Sequence, residues 1–134
     1  MKLDISPLIK AIQRLEEGLV RYQANLEDEQ LRDGLIKRFE FTYEMAHKML
    51  KRYLESASAT ADEFDRADFQ YLIRSANERA LLLGDWPAWR TFREMRNRTS
   101  HTYNEKVAAE VVAGIPGFLE EARYLRDRLL ENLS

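Results

Sequence analysis

The sequence predicts an all-α protein, an antiparallel four-helix bundle with an additional short helix. Apolar residues recur at steps of three and four along most of the 134 residues, as on the buried face of an amphipathic helix. No segment shows the apolar–polar alternation of a strand or an Asn-Gly hairpin turn. The length suits one domain, residues 1–134, that buries roughly two thirds of the surface of its unfolded chain. We therefore expect a single helical-bundle domain.

The first two predicted helices are long and amphipathic. The first begins at Ser6, a predicted N-cap that is followed by Pro7 in the first turn. Its apolar stripe comprises Ile5, Leu8, Ile12, Leu15, Leu19, Tyr22 and Leu26. The second helix covers about six or seven turns and ends in the weakly patterned segment 56–59. Its inward positions are Leu31, Leu35, Phe39, Thr42, Ala46, Met49 or Leu50, and Tyr53.

The third and fourth predicted helices are shorter. Gly84 is well placed to end the third helix, whose stripe comprises Phe69, Leu72 or Ile73, Ala76, Ala80 and Leu83. The fourth begins at about Trp86, next to Pro87, and points Trp89, Phe92 and Met95 inward. A stripe of arginines at spacing three lies beside that apolar face and consists of Arg90, Arg93 and Arg96.

The last predicted helix follows a polar stretch that ends at Asn104. Its inward positions are Val107, Val111, Ile115, Phe118, Ala122, Leu125, Leu129 and Leu133. The segment Gly114-Ile115-Pro116-Gly117 interrupts the pattern. Because proline lacks a backbone N–H and clashes with the preceding turn, we expect a kink or a short break there.

Composition restricts the location and the partners of the protein. The chain has no cysteine, which fits a reducing compartment and excludes disulfides and thiolate metal sites. No signal-peptide core is visible at the N-terminus, and no apolar run approaches the roughly 18 residues that span a bilayer. We expect a soluble, cytoplasmic protein with no membrane segment. Because the net charge is -2, any phosphate contact must be local.

The segment 96–103 is the chemically distinctive part of the chain. Guanidinium groups match phosphate oxygens, so Arg93 and Arg98 are candidates for binding phosphate or RNA. Asn97, whose amide can donate hydrogen bonds, is a third candidate. The ordinary pKa of histidine is near working pH. Arg96 and His101 therefore form a candidate catalytic pair for phosphodiester cleavage that needs neither a metal nor another cofactor.

The geometry of a straight helix separates this pair. Arg96 and His101 lie roughly 140° apart at 100° per residue. They converge on one phosphate only if the helix bends or ends near Ser100, or if two protomers pool their residues. Asn97 lies nearly over His101 and could fix its tautomer. The alternatives are a solvated arginine face and a histidine that caps the helix C-terminus.

Two other patterns favour structural explanations. Glu44-x-x-His47 has the spacing of half a carboxylate-bridged di-metal site, but the second half is missing and the chain has two histidines. We expect no bound metal. Several aromatic residues offer stacking surfaces for bases, but most fall on the predicted core stripes, and core packing is the favoured interpretation. They include Tyr43, Tyr53, Trp86, Trp89 and the phenylalanines.

Two blocks of the chain resemble a known family. The run 95–103 resembles the Arg-x4-His-x-Tyr signature of the HEPN superfamily. The block 37–48 resembles the second helix of its nucleotidyltransferase substrate-binding branch, which is related to the HepT toxins. The likeness extends over essentially the whole chain. His47 departs from the tryptophan expected in that branch, and Arg98 replaces a leucine-like residue.

The resemblance implies a homodimeric helical bundle encoded beside a minimal nucleotidyltransferase, the pair acting as toxin and antitoxin. It implies a ribonuclease site at the dimer interface, with Arg96 and His101 as its catalytic residues. It also implies that the partner transfers AMP to Tyr103 and thereby silences the toxin, because a bulky anion blocks a phosphate site.

Two further interpretations remain open at this point. One is a non-catalytic subunit that presents a substrate to the nucleotidyltransferase, which the near-neutral charge favours. The other is a structural module without chemistry at 96–103.

Overall fold

The computed structural model describes residues 3–60, 62–65 and 67–133, and it confirms the all-α bundle. Within these residues there is no strand. The helices are α1 (Ser6–Gln23), α2 (Glu29–Ala57), α3 (Phe69–Glu78), α4 (Trp86–Arg98) and α5 (Glu105–Leu133), and a 3-10 turn, Thr99–His101, follows α4.

The helices α1 and α2 pack against each other more extensively than any other pair. The predicted N-cap at Ser6 is wrong by one residue, because Ile5 occupies that position and Ser6 is the first helical residue. The carboxylate of Asp4 accepts hydrogen bonds from the backbone N–H (2.9 Å) and the hydroxyl of Ser6. At the start of α2, Asp28 is a conventional N-cap whose carboxylate accepts from the N–H of Leu31.

The helix α3 ends at Glu78, before the predicted stop at Gly84. The N–H of Leu81 donates to the carbonyl of Ala76, and the N–H of Ala80 donates to Asn77. This pattern is a Schellman motif, which requires a left-handed residue just past the helix. Ala80 takes that conformation at φ 57°. The chain therefore turns four residues earlier than expected, and Leu81 and Leu82 enter the core from a loop.

The helix α5 runs continuously past Pro116, so the predicted break is absent. Ile115 and Phe118 are buried on either side of the proline and hold both halves of the helix on the core. Gly114 allows a close approach to α4, because a Cβ there would lie 2.6 Å from the sulfur of Met95. The cost of the lost proline hydrogen bond is thus offset by burial along the helix.

Aromatic rings fill the centre of the bundle. Trp89 of α4 is fully buried, and its ring lies 6.3 Å from that of Phe118 and 5.5 Å from that of Phe92. Phe118 in turn meets Phe39 of α2 edge-on at 5.0 Å. Tyr43 is also buried, and burial raises the pKa of its phenol to about 12. The core interpretation is confirmed for these five residues and is wrong for Phe41, whose side chain is largely exposed. Trp89 joins α4 to α2 and α5 through its ring contacts.

No helix in the described ranges is both long enough and apolar enough to cross a membrane.

We predict that Ala80→Gly stabilises the protein. A left-handed alanine costs roughly 1–2 kcal/mol, whereas the extra freedom of glycine in the unfolded chain costs about 0.4–1 kcal/mol. The free energy of unfolding should therefore rise by up to about 1.6 kcal/mol in urea denaturation. Ala109→Gly, at an exposed helical position of α5, is the matched control and should lose about 1 kcal/mol. Equal losses in both variants would contradict the assignment of strain to Ala80.

Candidate functional site

The helix α4 ends where the distinctive segment begins to turn. The 3-10 turn Thr99–His101 directly follows Arg98. The hydroxyl of Thr99 donates to the carbonyl of Arg96 (2.7 Å), and that of Thr102 donates to the carbonyl of Thr99 (3.3 Å). The carbonyl of Arg96 also accepts from the backbone N–H of Thr99, so both the main chain and the side chain of Thr99 close the end of α4. The segment is therefore an ordered corner between α4 and α5, and the helix ends near Ser100 as one of the two geometries requires.

Asn104 closes the corner on the other side. Its side-chain oxygen accepts hydrogen bonds from the backbone N–H groups of Lys106 (2.9 Å) and Val107 (3.3 Å), as an N-cap of α5 does. Its own N–H donates to the carbonyl of His101. Both ends of the corner are thus fixed by local hydrogen bonds.

Arg96 is held against α2 by two acidic residues. Its Nε donates to Glu44 Oε1 at 3.0 Å and its Nη2 donates to the same oxygen, while Glu40 Oε1 lies 3.8 Å from Nη2. The hydrogen bond with Glu44 raises the pKa of Arg96, so the guanidinium is always charged. The side chain remains 29% exposed. Arg96 is therefore fixed in direction and still accessible from solvent.

His101 and Tyr103 lie on the outer surface of the corner. Both are exposed, Tyr103 to 83%, and their rings are 6.1 Å apart at an interplanar angle of 74°. Within the described residues, no hydrogen bond joins the Asn97 amide to His101, so the expected control of the tautomer is not seen. No hydrogen bond joins Arg96 to His101 either. Within one chain, the Arg96 guanidinium and the His101 imidazole are therefore not in contact with each other.

The other predicted phosphate-binding arginines have partners of their own. Arg98 is paired with Glu110 of α5 through its Nη2. The guanidinium of Arg93 lies over the rings of Phe69 (5.4 Å) and Trp86 (5.2 Å), as in a cation–π contact. A role for either arginine in RNA binding stays a prediction, because each would share its charge between the partner and a phosphate.

His47 packs between aromatic residues. Its ring meets that of Phe69 edge-on at 4.9 Å, and Tyr43 lies at 6.4 Å. Burial lowers the pKa of His47, and the positive charge of Lys51 adds to the shift. Glu44, the other half of the Glu-x-x-His spacing, is engaged by Arg96. Among the described residues, no three histidine, aspartate or glutamate side chains form a group that could hold a metal ion.

A buried carboxylate, that of Glu121, binds the backbone just before α4, and the sequence did not predict this contact. Glu121 accepts hydrogen bonds from the backbone N–H groups of Leu83 and Gly84, each at 2.7 Å. Burial raises its pKa, whereas these N–H groups and the nearby indole N–H of Trp89 oppose the shift. That indole nitrogen has no hydrogen-bond partner of ordinary geometry in the described structure. We call these two hydrogen bonds from Leu83 and Gly84 to Glu121 the Glu121 clamp. The clamp holds the connection between α3 and α4 against α5.

The clamp also explains why position 84 carries glycine. A Cβ there would lie 2.7 Å from that of Ala88 and 2.9 Å from Oε1 of Glu121. No local signal in the sequence identifies the clamp, because the pair Glu120-Glu121 looks like any solvated helix face.

Sequence comparison places this arrangement among known proteins. A family model described as "Nucleotidyltransferase substrate binding protein like" matches residues 3–131. A Haemophilus influenzae protein named "Probable ribonuclease HepT" is 35% identical over 136 residues, which cover 96% of this chain and 92% of that protein.

Two solved structures have the same fold. A Haemophilus influenzae protein, described as revealing the fold of a substrate binding domain of a nucleotidyltransferase, superposes with a TM-score of 0.87 at 33% identity. That match covers 94% of this chain and 98% of the other. A Thermus thermophilus protein superposes with a TM-score of 0.72 at 30% identity and covers 91% and 98% of the two chains.

We predict that His47→Phe weakens the loss of stability on acidification. Because the folded pKa of His47 is lowered, the folded protein binds fewer protons there than the unfolded chain just below pH 6.5. The stability contributed by the neutral ring is therefore complete above about pH 6.5 and declines as the pH falls, by at most about 1.4 kcal/mol per pH unit. Urea denaturation at about pH 7.5 and 5.5 measures this difference. Carboxylates titrate in both proteins, so an unchanged difference in the variant would show that His47 does not contribute.

Proposed function

We propose, from the premise that this chain belongs to the nucleotidyltransferase substrate binding protein like family, that it is a HEPN-type ribonuclease toxin paired with a minimal nucleotidyltransferase. Its relationship to a probable HepT ribonuclease supports the activity. The observation that carries the proposal is the accessible surface at the end of α4, where Arg96 stays partly exposed in the helix and the ordered corner after it exposes His101 and Tyr103. A cytoplasmic location gives such a toxin access to RNA and to ATP.

The proposed reaction is an internal transesterification of RNA. The ribose 2′-oxygen forms a bond to the adjacent phosphorus as its proton passes to a base, and the bond from phosphorus to the 5′-oxygen breaks as that oxygen accepts a proton. The products are a 2′,3′-cyclic phosphate and a 5′-hydroxyl. His101 carries the protons, each transfer being typically worth about 10²–10⁴ in rate. Arg96 stabilises the charge that develops on the phosphoryl oxygens, and no metal ion is needed.

Glu44 positions Arg96 for this role. It engages the Nε and Nη2 of the guanidinium. The remaining edge, which includes Nη1, stays available to phosphate oxygens. Glu44 does not act on the substrate itself in this scheme. It fixes the direction of the guanidinium and reduces the freedom lost when the substrate binds.

The complete site requires a homodimer in this proposal. Arg96 points toward α2, whereas His101 lies on the outer side of the corner, and no hydrogen bond joins them in the described chain. Two corners that face each other across a two-fold axis bring together two arginines and two histidines. One histidine then serves as the base and the other as the acid.

Tyr103 is the proposed control point. Its phenol is the most exposed of the large apolar or aromatic side chains in the described part of the chain. The partner nucleotidyltransferase joins the phenol oxygen to the α-phosphorus of ATP, and pyrophosphate leaves. The AMP group places negative charge and bulk beside His101, which excludes an RNA phosphate.

A second candidate function is a non-catalytic subunit that binds a substrate for the nucleotidyltransferase. The description of the related Haemophilus influenzae structure as a substrate binding domain favours it. In this second candidate function Tyr103 is not modified, and the partner nucleotidyltransferase carries out the reaction.

We predict that His101→Ala and Arg96→Ala each lower the rate of RNA cleavage by at least about 100-fold. The measurement is cleavage of labelled RNA by purified protein in excess EDTA, with the cyclic phosphate end identified. Arg90→Ala is the control, since Arg90 is an exposed arginine on the same helix whose ion pair within the described residues is a long one, to Glu94 (3.7 Å). If the wild type cleaves no RNA, or if both variants match it, the ribonuclease proposal is wrong.

We predict that coexpression with the adjacent nucleotidyltransferase adds whole AMP units to Tyr103. Intact-mass measurement and peptide mapping detect the addition, and Tyr103→Phe should abolish it. Tyr71→Phe, at another exposed tyrosine, should leave it unchanged. An unmodified chain that instead increases the partner's activity toward an external substrate would favour the substrate-binding subunit.

A further inference from the structure

A groove between α1 and α2 combines an exposed aromatic ring with a cluster of cations. Phe41 of α2 is 52% exposed. It faces a depression of about 450 Å³ against α1, and a second depression of about 250 Å³ adjoins the first at Ala11, Arg14 and Phe41. We call these two depressions the Phe41 groove. The cationic residues that line it are Lys10, Arg14, Lys37 and Arg38.

The charge of the groove contrasts with that of the chain. Its lining holds four cationic side chains and one carboxylate, that of Asp4, whereas the whole protein has a net charge of -2. Asp4 is engaged by the backbone and the hydroxyl of Ser6 at the start of α1. Lys37 has one long ion pair, to Glu40 at 3.5 Å, and its side chain is largely exposed. The groove is therefore a local site of positive potential.

The cations are also partly fixed in place. Arg38 Nη1 donates to the carbonyl of Arg14 at 2.7 Å, which holds its guanidinium along the groove between α1 and α2. Lys10 and Arg14 lie four residues apart on α1, and Lys37 and Phe41 lie four residues apart on α2. Residues at that spacing share one helix face. The two helices thus present cations on both sides of the ring.

We propose that the Phe41 groove binds single-stranded RNA, with a base stacked on Phe41 and phosphates on Lys10, Arg14 and Lys37. An exposed ring among cations matches the alternating faces and charges of a single strand, in which bases stack and phosphates require neutralisation. A second copy of this chain fits poorly, because a two-fold contact would place the same cations against one another. The proposal rests on the proposed ribonuclease function and adds a substrate subsite to it.

The groove adjoins, along α2, the residue that holds Arg96. Phe41 precedes Glu44 by three residues on α2, so the ring and the carboxylate that holds Arg96 are neighbours on one helix surface. In this proposal a strand stacked on Phe41 extends along that surface toward the candidate catalytic arginine. The groove holds the substrate, and the chemistry takes place at the corner.

The test is RNA binding in a background that prevents cleavage. His101→Ala protein is titrated into fluorescein-labelled single-stranded RNA of about 12 nucleotides, and anisotropy gives the affinity at several salt concentrations. Adding Phe41→Ala should weaken binding roughly ten-fold. Adding Lys10→Gln or Lys37→Gln should reduce the slope of log K against log salt by about 0.7 each. Each variant is checked for unchanged thermal unfolding.

Matched controls lie on other surfaces. Leu83→Ala removes an exposed apolar side chain, and Arg74→Gln removes an exposed cation of α3. Neither should change the affinity or the salt slope. If the groove variants bind RNA as the background protein does, the proposal is overturned. The proposal is also overturned if the groove substitutions convert a dimer into monomers. It is overturned as well if they abolish binding to the nucleotidyltransferase and leave the affinity for RNA unchanged.

The outcome is separable from the ribonuclease test. Groove-dependent RNA binding by a wild type that cleaves nothing would support the groove and overturn the proposed activity. If the protein cleaves RNA and neither KM nor kcat changes on substitution of Phe41 or Lys10, the ribonuclease activity is supported and the proposed RNA-binding groove is overturned.

Discussion

The burial of Trp89 is the constraint on which the rest of the structure depends. The helix α4 has 13 residues, too few to be stable alone, and it is anchored by this fully buried indole among Phe92, Phe118 and Tyr43. Arg96 follows Trp89 by seven residues, so both lie on nearly the same side of the helix. Anchoring the indole therefore sets the rotation of α4 and directs Arg96 toward α2.

Electrostatic contacts then refine what packing has set. Glu121 holds the chain just before α4, and Asn104 and Thr99 hold it just after. Between these fixed ends the helix has little freedom to rotate or slide. The ion pair of Arg96 with Glu44 is consequently formed between two elements that are already in place, which lowers its entropic cost. The exposed corner is thus held by hydrogen bonds on both of its sides.

Local pattern was a good guide to the helices and a poor guide to their ends. The steps of three and four predicted every long helix and the inward direction of Trp89, because burial of one helix face leaves a period in the sequence. The end of α3 was missed, since alanine rarely adopts the left-handed conformation and glycine at 84 was the stronger signal. Of the kink or short break expected at Pro116, the break is absent, and the burial of Ile115 and Phe118 offsets the one lost hydrogen bond.

The sequence by itself determined the fold class, the core and the segment that holds Arg96, His101 and Tyr103, since periodicity and a short motif are local properties. Only the tertiary structure decided which side chains pair with each other across the helices. Arg96 meets Glu44, 52 residues away in the chain, and Glu121 reaches Gly84 across 37. Such pairings depend on helix rotation and on the distance between helices, and no spacing within one helix encodes either. The sequence could not predict the Phe41 groove for the same reason, because its cations come from two separate helices.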